Sequence, residues 1–73
     1  MATATSIRCV DQIGDTAGRI WHCLSDNGPM TLAKLAKQMD APRDVIMQAV
    51  GWLAREGKID IEERNRVRVI FLK

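Results

Sequence analysis

The chain has 73 residues, with 11 Lys and Arg against 9 Asp and Glu for a net charge of +2, and is 47% hydrophobic and 27% charged. That length fills one small domain and leaves no room for a second, and the balance is that of a globular chain rather than a disordered or strongly basic one. Cys9 and Cys23 have no Cys-x-x-Cys or paired-histidine spacing around them, so no metal or other cofactor is expected and both are read as half-buried free thiols.

The opening "MATATS" is short, uncharged and not followed by an unbroken apolar run. It fits a flexible tail over residues 1–6 of a cytoplasmic protein with no membrane anchor, with the domain itself spanning 7–73. Apolar residues then fall at Val10, Ile13, Ala17, Ile20, Trp21 and Leu24, a single stripe roughly 100° wide at the helical period. Asp11, Asp15, Arg19, His22 and Asp26 take the solvated side. Gly14 and Gly18 each cost a helix about 1 kcal/mol relative to alanine, which leaves two starts open: near Ile7, or a break and a restart with Asp15 as cap. "SDNG" ends this helix, with Asn27 or Gly28 free to take a left-handed conformation.

"PMT" gives a short extended link with room for a brief first strand, and Thr31 is the expected N-cap of "LAKLAKQM". Leu32, Leu35, Ala36 and Met39 of that segment face inward, and Lys34, Lys37 and Gln38 outward. "DAP" turns the chain, and Pro42 suits the first position of a helix, where its missing N–H would be unpaired anyway. The third helix is expected from Pro42 to about Glu56, burying Val45, Ile46, Ala49, Val50 and Leu53. The same projection leaves Arg43, Asp44, Met47, Gln48, Gly51, Ala54 and Arg55 outside. Trp52, at the edge of that face, is expected to fold into the groove between the helix and the following hairpin as core, a large contribution in so small a domain. Gly57 stops the helix.

Beyond Gly57 the pattern alternates, as strands do. Pairing Ile61 with Val67 and Ile59 with Val69 turns all four inward and leaves a three-residue loop, Glu63, Arg64 and Asn65. That register also sets Glu62 across from Arg66 and Asp60 across from Arg68, two opposite-charge pairs on the outer face.

Helix, short strand, helix, tight turn, helix, hairpin is the winged helix-turn-helix order, an α+β and mostly helical fold. The segment "LAKLAKQMDAPRDVIMQAVGWLAREGKI" is similar in layout to the turn and recognition helix of MarR-like regulators. More specifically, "IGDTAGRIWHCLSDNGPMTLAKLAKQM" with "AVGWLAREGKIDIEE" resembles a family of small stand-alone winged helix proteins catalogued as a domain of unknown function. The resemblance covers residues 7–72, and "GWLAREGKI" is its most specific part. It implies the fold and a role in DNA binding or transcription regulation, and it carries over no catalytic residues.

Two functions fit this layout. In a double-stranded DNA binder of this layout, Arg43, Gln48 and Arg55 would meet base edges or adjacent phosphates, Lys34 and Lys37 the backbone, and Arg64, Arg66 and Arg68 the flanking groove. Asp44 has the wrong sign for phosphate but favours the helix dipole, and the usual small polar cap before the reading helix is replaced by Ala41. The alternative is a protein-interaction module, docking a protein partner or a weak homodimer on Met47, Gly51, Ala54 and the adjoining Trp52. An enzyme is not expected: His22 is the single histidine, and no nucleophile, base and oxyanion donors group around a pocket. No small-molecule ligand is expected.

Overall fold

The computed structural model describes residues 8–73. The tail expected over residues 1–6 and a helix start near Ile7 lie outside them. Three helices and three strands follow in order: α1 (Cys9–Asn27), β1 (Met30–Thr31), α2 (Leu32–Gln38), α3 (Arg43–Arg55), β2 (Ile59–Arg64) and β3 (Val67–Leu72).

Helix α1 runs unbroken through both glycines, because Ala17, Ile20 and Leu24 pack into the core and tertiary burial outweighs helix propensity. Buried Thr16 joins that row. The apolar stripe is narrower than its sequence: Val10 is 67% and Trp21 38% exposed. Val10 borders an open groove beside Trp52 of α3 rather than packing beneath that helix. At the far end Gly28 takes φ 78° and donates its N–H to the Leu24 carbonyl at 2.8 Å.

Thr31 caps α2 as expected, its Oγ1 accepting from Lys34 N at 3.1 Å. The cap of α3 falls on Pro42 rather than Ala41, and Pro42 therefore sits one residue ahead of the first helical position. With no capping oxygen at Pro42, Asp44 Oδ1 accepts from Val45 N at 2.9 Å, a local structural reason for an acid there. At the other end Gly57 takes φ 75°. Its N–H donates to the Ala54 carbonyl while Lys58 N donates to Leu53, both within 3.1 Å, the paired closure of a Schellman motif.

The sheet is antiparallel with order β1-β3-β2, so the last strand lies in the middle. Ile20 and Leu24 of α1, Leu35 of α2, Ile46 of α3, Ile59 of β2 and Ile70 of β3 are the largest fully buried side chains, and Met30 adds β1 to the same core. Of the two cysteines, Cys23 is half-buried beside Met30, whereas Cys9 is exposed rather than half-buried.

The hairpin register departs from the expected one by three residues. Ile61 pairs with Ile70 and Ile59 with Leu72, and Arg64 and Val67 close a two-residue turn of Asn65 and Arg66. Both turn residues have positive φ, 52° and 68°, the signature of a type I′ turn whose twist matches the strands. An odd shift exchanges the faces of β3. Ile70 is therefore fully buried while Val67 is 45% exposed, and Ile61, expected inside, is 37% exposed near the wing tip. The expected pairs of Glu62 with Arg66 and Asp60 with Arg68 do not form, and those acids oppose Val69 and Phe71 instead.

Candidate nucleic-acid interface

At about 100° per residue, the buried residues of α3 centre opposite an outer line formed by Asp44, Gln48, Gly51 and Arg55. All four are exposed. Arg43 lies on one shoulder of that line and Trp52 on the other, about 180° apart around the helix. The Arg43 shoulder faces the wing. There a groove of about 460 Å³ is bordered by Leu32 and Ala33 of α2, Arg43 of α3, and Glu63, Arg66 and Arg68 of the wing.

The arginines of the wing are not equivalent. Arg64 is held by Glu62 through two hydrogen bonds, 2.9 Å from Nε and 2.6 Å from Nη2. Arg68 is more loosely engaged, its Nε 3.6 Å from Glu63 Oε1 across the strand pair. Arg66, in the turn, makes no ion pair among the described residues, and neither do Arg43, Arg55, Lys34 and Lys37. Exposed pairs such as these are worth about 0–1 kcal/mol and yield readily to a stronger anion.

The residues singled out for nucleic acid thus divide. Arg43, Arg66 and Arg68 converge on one groove; Lys34 and Lys37 are exposed on α2, and Gln48 and Arg55 on the outer line of α3. Arg64 turns to the opposite row of the wing with Glu62. The groove walls Leu32, Ala33 and Val67 were not among the sequence candidates. Ala33 follows the helix-capping Thr31 by two residues, and a small side chain at such an early position was the available signal.

The strip of Met47, Gly51, Trp52 and Ala54 does not hold together. Met47 and Ala54 are half-buried and pack against the core, since both project onto the shoulder shared with Arg43, where the wing approaches. Gly51 and Trp52 stay outside. Trp52 is 50% exposed rather than folded under the wing, because its shoulder faces α1, where it adjoins Gly14. His22 is exposed and meets Trp21 edge-on, ring centroids 5.5 Å apart. No helix among the described residues is long and apolar enough to cross a membrane.

Similarity to other proteins agrees with this architecture. The chain is 37% identical over 65 residues to Uncharacterized protein MJ1608 of Methanocaldococcus jannaschii, an alignment covering 85% of this chain and 91% of that one. In three dimensions it is similar to protein BT2368 from Bacteroides thetaiotaomicron, with TM-score 0.76 and 34% identity over 85% of this chain and 76% of that one. An ArsR family transcriptional regulator, RHA00566, is similar at TM-score 0.64 and 24% identity, covering 97% of this chain and 77% of that one, a likeness of fold. Residues 9–72 match the family described as Winged helix-turn-helix domain (DUF2582), and with three helices, a turn between α2 and α3 and a β2–β3 wing, the chain belongs to that family.

Proposed function

We propose that the protein binds double-stranded DNA as a regulator-like module, with α3 directed at the major groove and the wing at the flanking backbone. The observation that carries this reading is the convergence of Arg43, from the start of α3, with Arg66 and Arg68 of the wing on one groove. Their spacing in the sequence gives no reason for them to meet, and cations gathered from separate elements are what phosphate recognition needs. Gln48 and Arg55 on the outer line of α3 are the base-edge donors in this docking. Lys34 and Lys37 of α2 supply further backbone contacts.

Arg66 adds support of a different kind. A non-glycine residue in the left-handed region costs about 1–2 kcal/mol, and its φ is 68°. Backbone strain of this sort concentrates at functional positions. The interaction module built on Met47, Gly51, Trp52 and Ala54 as one strip is less well supported, since two of the four are occupied in core packing.

Fluorescence anisotropy with a random-sequence duplex, titrated with salt, tests the proposal. Lys34, Lys37, Arg43, Arg66 and Arg68 together predict a slope of log K against log salt of about −4.5, at about 0.9 per phosphate contact. Absence of binding at about 50 mM salt, where the electrostatic term is large, would sink it.

A further inference from the structure

We infer that the face shared by α1 and α3, away from the wing, is the seat of a two-fold homodimer. Trp52 stands half exposed between two adjoining grooves and borders both of them, as does Gly14. One groove, of about 590 Å³, runs past Gly18 and Trp21 toward the end of the sheet. The other, of about 550 Å³, runs past Ile13 and Val10 toward the start of α1. A side chain added at Gly14 or Gly18 would meet nothing within 4 Å, so the floor between them is open.

The identity of the occupant comes from charge. Asp11 and Asp15 border the groove at the α1 start. Lys58 and Lys73 border the other, held side by side by a hydrogen bond from Lys73 N to the Lys58 carbonyl at 3.1 Å. Asp15, Lys58 and Lys73 have no ion-pair partner among the described residues, and the contact of Asp11 with Arg8 is long, 3.9 Å, and exposed. The face is therefore acidic at one end, basic at the other and apolar between. A two-fold axis passing near Trp52 and Gly14 lays the acidic end of one copy on the basic end of its partner, and each indole enters the other copy's glycine-floored groove. Such self-complementarity is what an isologous contact requires. A partner uniform in charge along its length would leave one end of the face opposed by its own sign.

Because Trp52 and Arg43 lie on opposite shoulders of α3, this dimer leaves the wing groove open, and its test is independent of DNA. Sedimentation equilibrium from about 10 µM to about 1 mM, a range that brackets weak association, should find a dimer. Trp52→Glu, at an exposed position, should keep the helical circular dichroism spectrum and weaken self-association at least about thirtyfold, the lower bound for a central tryptophan anchor. The charge-reversed pairs Asp11→Lys with Asp15→Lys and Lys58→Glu with Lys73→Glu should each be monomeric alone and form a mixed dimer when combined. A wild-type chain that stays monomeric at about 1 mM, leaving the face for a different protein, overturns the inference. So does a dimer indifferent to Trp52→Glu, or a mixture of the two charge variants that does not associate.

Discussion

Replacing Arg66 by glycine should push stability and duplex binding in opposite directions. Arg66 is the second residue of a two-residue turn and holds φ 68°, after Asn65 at 52°. The left-handed conformation costs a side-chain-bearing residue about 1–2 kcal/mol, and glycine nothing. Glycine's greater freedom in the unfolded chain returns about 0.5–1 kcal/mol of that gain, leaving a net stabilisation of about 0.5–1 kcal/mol. Asn-Gly is also the preferred pair for a type I′ turn. In a domain of this size the melting temperature should therefore rise by about 2–8 °C. Duplex binding should weaken, because Arg66 has no acid competing for it among the described residues. One lost phosphate contact lowers the salt slope by about 0.9 and the affinity about eightfold at about 0.1 M salt. Differential scanning fluorimetry and anisotropy on the same preparation read both effects. A fall in melting temperature would refute the strained-turn argument, and an unchanged salt slope would refute the role of Arg66 on phosphate.

Arg64→Ala should change duplex affinity less than about twofold, because Arg64 lies on the wing row turned away from the groove of Arg43, Arg66 and Arg68, whereas Glu63→Ala, which removes the acid beside Arg68 in that groove, should tighten binding by up to about eightfold at about 0.1 M salt; anisotropy on the two variants decides, and weakening by Glu63→Ala would count against the wing docking. Ile70→Ala removes a fully buried side chain facing both Met30 and Ile61 and should cost about 3–4 kcal/mol. That is a large part of the total of about 4–11 kcal/mol for a chain this long, and would appear as a collapse of the urea midpoint. Gly51→Ala, on an open helix face, should stabilise by about 0.5–1 kcal/mol, and Gly57→Ala, at φ 75°, should destabilise by about 1 kcal/mol or more; equal effects in urea melts would contradict the assigned helix end.

The helices were legible because their signals are local and redundant. Thr31, Gly28 and Gly57 each sit where backbone chemistry demands them, and the buried row of α3 follows the helical period without exception. The register of the wing was not legible, for a reason visible in "VRVIFL": Val67, Val69 and Phe71 form one apolar row, and Ile70 and Leu72 belong to the other. Either row can face a core, so alternation could not choose. The choice falls to the turn, where Arg66 occupies a conformation that its side chain disfavours, and to β1, which draws Ile70 inward against Met30. The same shift determines which arginines are held by acids, so an error of three residues in pairing changed the reading of the site. Trp52 was missed because helical projection gives its edge position but not which neighbour covers that edge; α1 lies there without closing over it.

The position of β3 has a consequence for how the molecule assembles. Met30 finds its strand partner at Ile70, forty residues later, a closure whose entropy cost grows to about 3 kcal/mol on a logarithmic scale. Helices can form as soon as they are made, but the sheet must wait for the final segment, and the floor beneath α2 is incomplete until it docks. Cutting the chain after Asn65 would thus do more than trim a loop from the surface. It would pull the middle plank from the sheet, strand β1 without hydrogen bonds and expose the side of the core that Ile70 seals, so that a truncation meant to remove the wing would unfold the helices along with it.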